Sequence, residues 1–220
     1  MSYIGPANAA AATERLIAEF QPDVILHGGC AGAINPELMP GDIVIGKSYR
    51  ILCSRHILEV RKSLLLTAKP IRYTQDGEAV HLDQIKADAA LFGLAMNAAE
   101  KSVQDDNFWT EGGWPPQVAK RGAKVLAGTL GSQDGWTKGK DELEFLRTEF
   151  GVDTEDMESA YVAQIAAKHE VPFVAVRAIS NNEHIQTLQK AEILPAVKAA
   201  AARAGKALYE LTCVLAPFLE

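Results

Sequence analysis

The sequence predicts one three-layer α/β domain over residues 1–220, with helices on both sides of a central mixed β-sheet. Three observations carry that expectation. Short apolar runs alternate with longer helix-periodic stretches, as strands connected by helices do. The apolar runs are of the kind that suits strands covered on both faces. At 220 residues and 48% hydrophobic, the chain can build one large core without staples.

In chain order, residues 7–20 (ANAAAATERLIAEF) are Ala-rich and predict a helix that ends before Gln21-Pro22. Residues 23–27 (DVILH) predict a buried strand running into the turn Gly28-Gly29-Cys30-Ala31-Gly32. A strand over 42–46 follows a turn with Pro36, Pro40 and Gly41. Between 51 and 122 the pattern yields only a helix over 84–103 and a long loop over 104–117. A strand over 123–129 then leads to Gly131-Ser132-Gln133-Asp134-Gly135-Trp136, and 141–149 is a charged amphipathic helix. Residues 152–155 predict a short strand, 157–169 a small-residue helix and 171–179 a strongly apolar strand. The last helix spans 187–215, with a kink expected at Pro195.

A net charge of −6 and scattered Lys and Arg give no basic tract, so neither nucleic acid nor a membrane surface is an expected partner. Cys30, Cys53 and Cys213 are odd in number and far apart, and the five histidines share no ligand spacing with them. Neither a disulfide framework nor a metal site is expected. With no signal-peptide profile at the start, the cytoplasm is the expected compartment.

Three segments have the composition of a site. In His27 to Gly32 (HGGCAG), glycines beyond a buried strand let backbone N–H groups approach a ligand, although a tight turn would use them equally well. The same letters spell G-x-C-x-G, but Ala33 to Pro40 is turn sequence, so no helix follows to form a nucleophile elbow. In Glu155-Asp156-Met157-Glu158-Ser159, an ionised carboxylate at a helix start can accept both hydroxyls of a ribose diol, or simply cap the helix. Val176-Arg177-Ala178-Ile179-Ser180-Asn181-Asn182 puts small polar groups at the carboxyl end of the most apolar strand, where α/β sheets bind ligands.

Taken together, PDVILHGGCAGAINPELMPGDIVIG, VLAGTLGSQDGWTKG and VDTEDMESAYVAQIAAKHEVPFVAVRAISNN resemble the nucleoside phosphorylase/nucleosidase superfamily, nearest its methylthioadenosine/adenosylhomocysteine nucleosidase branch. The resemblance covers about residues 5–50 and 123–212 and implies a phosphorylase-like fold, a purine nucleoside substrate, a homodimer and no cofactor. It also implies roles. Glu158 would accept the ribose hydroxyls, with Met157 packed against the sugar and Asp156 also binding substrate. Trp136 would stack on the purine and Thr137 would meet it through backbone groups. Cys30, Ala31 and Gly32 would line the sugar side. Ser180 and Asn181 would address the imidazole edge, with Arg177 supporting their loop. Asn181 and Glu158 are the expected catalytic pair.

Three departures from the family pattern bear on the reaction. His27 stands where phosphorylases of the family often carry a phosphate-binding Arg, which favours water as the nucleophile. Asn181 stands where adenine-releasing members have Asp. An amide cannot deliver a proton but can donate to the six-position oxygen of a 6-oxopurine, so futalosine hydrolase-like or phosphorylase activity on such a nucleoside is the alternative, with a non-catalytic nucleoside binder behind both. The chain opens at what resembles the family's second helical unit, so the glutamate that activates water is expected to be absent or replaced, with Glu78, Asp105, Asp106 and Glu111 as candidates.

Overall fold

The computed structural model describes residues 3–56, 64–104 and 122–218. Helix α1 (Pro6–Phe20) starts with Pro6, whose missing N–H costs nothing at a first helical turn, and stops where Gln21 turns left-handed. It buries Ala9, Thr13 and Ile17, a stripe at four-residue spacing, against α4 (Ser159–Lys168). Helix α4 is lined with Ala160, Ala163 and Ala166, small enough for close packing on the sheet. On the opposite side, α2 (Ala89–Val103) packs on α5 (Lys190–Leu215). Asp88 caps α2 by accepting the Leu91 N–H, and a Gln189/Glu192 capping box starts α5. Helix α5 is continuous through Pro195, where a kink was expected. The proline sits close enough to the amino end that only one early hydrogen bond is lost.

Between these helix layers lies a mixed sheet of β1 (Ile25–Ala33), β2 (Ile43–His56), β3 (Leu64–Lys69), β6 (Ile85–Lys86), β7 (Val125–Ser132), β8 (Thr154–Asp156) and β9 (Phe173–Asn182). β4 (Ile71–Gln75) and β5 (Glu78–Leu82) form a separate hairpin, and α3 (Lys140–Phe150) covers Ile34, Leu52 and Val152. β9 pairs in parallel with β1, β1 antiparallel with β8, β8 in parallel with β7, and β7 in parallel with β2. β2 then pairs antiparallel with β9 through Ile43–Ala178, Val44–Arg177 and Ile45–Val176, so five strands close into a ring. Where β2 and β9 part, the Tyr49 hydroxyl takes over the ladder. It accepts the Ala175 N–H at 2.9 Å and donates to the Gly46 carbonyl at 3.0 Å.

Three expectations change at this level. The helix expected over 84–103 starts only at Ala89, because Ile85–Lys86 pairs with β2. The glycine run 28–32 is not a turn: it is the middle of β1, in register with β9 from Ile25 to Ala31. A Cβ at Gly28 would overlap Leu208 of α5 and one at Gly29 would overlap Arg177, so these glycines clear space beside a strand. The segment after residue 50, which patterning leaves mostly unread, contains the β4–β5 hairpin. Its tip is Asp76-Gly77, both at positive φ, the preferred residues of a two-residue hairpin turn. Among the described residues no helix is long and apolar enough to cross a membrane.

Candidate active site

Register brings the singled-out residues together. Gly29 lies opposite Arg177, Cys30 opposite Ala178, Gly32 opposite Asn181 and, on its other side, opposite Glu155. The carboxyl ends of β1, β7 and β9, with β8 between them, therefore share one corner. A cavity of about 260 Å³ bordered by Ile85, Asp88, Ala163, Pro172 and Phe173 lies at the other end of β9 and shares none of these residues.

Arg177 organises the corner. It is 3% exposed, and its guanidinium is in reach of five groups. Nε donates to Ser159 Oγ at 2.9 Å and lies 3.0 Å from Asp156 Oδ2. Nη1 donates to the Cys30 carbonyl at 3.3 Å, and Nη2 faces His27 Nδ1 at 3.3 Å and Glu158 Oε2 at 3.4 Å. The missing side chain of Gly29 makes room for that fork.

Asp156, expected beside the substrate, lies beneath the site. Its Oδ1 accepts the backbone N–H groups of Glu158 and Ser159 at 2.9 Å each and the Ser132 hydroxyl at 2.5 Å. Burial pushes its pKa up, but the Arg177 charge and the bonds from Ser132 and Ser159 outweigh it and hold the carboxyl below the usual aspartate range. Because Asp156 caps α4, Glu158 does not have to. The Glu158 carboxylate, with its side chain 14% exposed, turns to Arg177 and to the Gly5 N–H, which donates to Oε1 at 3.0 Å. Met157, half-buried, stands between the two acids.

Burial, then the neighbouring Arg177 charge, push the His27 imidazole down to about 3, so it is neutral at physiological pH. Arginine can only donate, so Nδ1 is the acceptor and the ring proton sits on Nε2. Burial also raises the Cys30 pKa, which keeps the thiol protonated and inert as a nucleophile.

On the far side, Ser180 Oγ lies 3.2 Å from the Ala31 carbonyl and 2.8 Å from Asn181 Oδ1, and Asn181 Nδ2 donates to Glu183. Gly32 leaves the Asn181 amide room to lie across β1. Thr137, expected to meet the base through backbone groups, has its N–H already engaged. Its N–H donates to Glu155 Oε2 at 2.8 Å and its hydroxyl to Oε1 at 2.6 Å, so that N–H is not available to a base. Gln133 donates to the same carboxylate, which ties the 133–137 loop to β8. Trp136 is 37% exposed, with the Lys138 ammonium 4.9 Å from its ring centroid. Glu78 is at the hairpin whose Gln75 bonds Glu170, past the carboxyl end of α4, and does not join the site. Asp105, Asp106 and Glu111 lie outside the described residues.

Glu155, Gln133, Gly5 and Gly29 join the site without a role legible in the sequence. Glu155 was visible within the acidic segment, but its neighbours Thr137 and Gln133 are distant in the chain. The role of Gly29 depends on β1–β9 register, which composition does not specify. Gly29→Ala is expected to destabilise the protein by about 1–3 kcal/mol, because Arg177 cannot retreat from the methyl without leaving Asp156. Gly205→Ala, in α5 with open space around it, should instead stabilise by roughly 0.5–1 kcal/mol. Urea unfolding of the two variants measures both.

A family model described as the phosphorylase superfamily matches residues 1–213. A Bacillus licheniformis protein named 5'-methylthioadenosine/S-adenosylhomocysteine nucleosidase is 31% identical over 182 residues, 82% of this chain and 65% of the relative. A Bacillus cereus (strain AH820) protein of the same name is 30% identical over the same shares. The chain thus spans about 65% of the length of these curated relatives. The crystal structure of the Neisseria meningitidis nucleosidase of that name, in complex with methylthio-immucillin-A, superposes with a TM-score of 0.69 at 27% identity, covering 98% of this chain and 80% of that one. Futalosine hydrolase of Helicobacter pylori shares the fold, with a TM-score of 0.67 at 20% identity over 97% of this chain and 78% of that one.

Proposed function

This chain belongs to the phosphorylase superfamily, and on that premise we propose that it hydrolyses the N-glycosidic bond of a purine nucleoside. The observation that carries the reading is the Arg177 cluster, which presents the Glu158 carboxylate beside the Cys30–Gly32 segment of β1 with Asn181 one step farther along. Glu158 accepts the ribose hydroxyls and stabilises the positive charge that builds on the sugar as the bond breaks. Cys30, Ala31 and Gly32 line the sugar, Met157 packs on it and Trp136 covers the base. Asn181 hydrogen-bonds the departing purine and Ser180 supports it.

Water rather than phosphate takes the anomeric carbon: its OH goes to the sugar as the C–N bond breaks, and its proton goes to the departing purine. A dianion needs a cation, and His27 is neutral while Arg177 is already engaged with Asp156 and Glu158. The relatives' names favour methylthioadenosine or adenosylhomocysteine as substrate. Asn181 favours a second reading, a 6-oxopurine nucleoside, because its amide matches a ring donor and an oxygen acceptor together. The same reading carries a single-domain enzyme without a cofactor, working in the cytoplasm as a homodimer. Exposed Ile4, Leu16 and Phe20 on and beside α1 offer a second copy an apolar surface.

The test is chromatographic. Methylthioadenosine, adenosylhomocysteine, inosine and futalosine are each presented with and without phosphate. Free base released at equal rates in both conditions is the expected result. Release that requires phosphate would make the protein a phosphorylase, and no release from any of the four would overturn the catalytic reading.

A further inference from the structure

Asn181 has a partner that neither its family position nor the reaction explains. Glu183 is 4% exposed and two residues farther on. One of its oxygens accepts from Asn181 Nδ2 at 3.3 Å and the other from Thr187 Oγ at 2.7 Å. We propose that Glu183 determines which purines the site accepts, by pinning the Asn181 amide in a single orientation.

An amide has an oxygen end and an NH₂ end that pack almost alike, so something chemical must tell them apart. Ser180 cannot. Its hydroxyl has one proton and two nearby acceptors, the Ala31 carbonyl and Asn181 Oδ1. If the proton goes to Asn181, Ser180 holds the oxygen end. If it goes to Ala31, the hydroxyl oxygen is left free to accept from a flipped NH₂ end. The serine therefore tolerates both orientations. A carboxylate accepts and never donates, so only the NH₂ end is stable against Glu183. Thr187 keeps that carboxylate in place.

The pinned amide keeps one free N–H and one free lone pair. Their order follows from the strand. Arg177 and the sugar side precede Ser180 along β9, whereas Glu183 lies beyond it. The oxygen end is thus held on the sugar side and the NH₂ end on the far side. In a purine nucleoside, N7 lies nearer the glycosidic bond than the six-position does. Oδ1 accordingly faces N7–H and Nδ2 faces the six-position, which complements a 6-oxopurine. Adenine would set its amino group against the Asn181 NH₂, donor against donor. Flipping the amide would reverse the preference.

This inference rests on the nucleoside reading of the site, so its test uses base binding rather than turnover. Titration calorimetry of hypoxanthine and of adenine into the full chain gives an affinity ratio for wild type, Glu183→Gln and Thr187→Val. Wild type should favour hypoxanthine. Glu183→Gln can donate as well as accept and frees the flip, so the ratio should fall roughly tenfold. Thr187→Val, an exposed change that only loosens Glu183, should move the ratio the same way by less, and carries the test if the glutamine variant does not fold. A ratio unchanged in the variants, a wild type that favours adenine, or a site that binds neither base would overturn the proposal. A ratio that shifts in a protein without turnover would leave the proposal standing and sink the hydrolase reading alone. Turnover with an unmoved ratio would do the reverse.

Discussion

Replacing Arg177 by Met is expected to lower the unfolding free energy by about 3–5 kcal/mol, because it leaves the Asp156 carboxylate buried without its countercharge. The effect should depend on pH in a defined direction. In wild type the folded Asp156 pKa is depressed, so its contribution is present above the ordinary aspartate pKa and is lost as pH falls through the folded value. In the variant, only the hydrogen bonds from Ser132 and Ser159 still oppose burial, so that pKa rises, and the cost of the bare charge is greatest near neutrality and fades as acid protonates it. His27 works in the same sense. Its folded pKa of about 3 lies below the unfolded 6.5, so wild type loses stability steadily as pH drops across that window. Without the Arg177 charge the window narrows. The gap between the two proteins should therefore be widest near pH 8 and shrink toward acid, which urea unfolding at several pH values measures. A gap that grows with acid would contradict the assignment. Arg177→Lys should recover part of the loss, since an ammonium can meet Asp156 but cannot fork to Ser159, Cys30 and Glu158 together.

Glu158→Gln is expected to reduce turnover by roughly 100- to 1000-fold, a loss typical of removing one charge-stabilising group from an active site. The amide keeps the shape and can still accept the Gly5 N–H. What it lacks is the negative charge that, in the hydrolysis proposed above, opposes the forming sugar cation. The loss should appear mainly in kcat, since the charge interaction strengthens only as the bond breaks. Stability should change by less than about 1 kcal/mol, because Asp156 rather than Glu158 caps α4. A variant with unaltered kcat would remove Glu158 from the reaction.

The layers and most elements were legible in the sequence because β1, β7 and β9 are apolar runs and α1 and α4 carry helix-spaced small residues. The hairpin at Asp76-Gly77 has a local signal too, with alternating Ile71 and Tyr73 and a preferred turn pair, but it lies in a segment short of other signals. The site divides along another line. Arg177, Glu158, Ser180 and Asn181 stand out because polar groups at the end of an apolar strand or a helix start are conspicuous. Their partners are not. Gly29 differs from any strand glycine only by what lies opposite it, and Glu155 meets Thr137 and Gln133 through a parallel pairing of β7 with β8. Long-range register specifies those contacts, and no local pattern encodes it.

The closed ring of β1, β8, β7, β2 and β9 bears on how the protein yields under thermal agitation. A strand at an open margin can fray alone, one rung after another, while its neighbours stay paired. Each of these five has a hydrogen-bonded neighbour on both sides for part of its length, with the Tyr49 phenol bridging the gap between β2 and β9. To release any one of them, two ladders must break at once. The ring therefore opens as a cooperative whole, and the residues at the end of β9 rest on a support with no partial melting of its own.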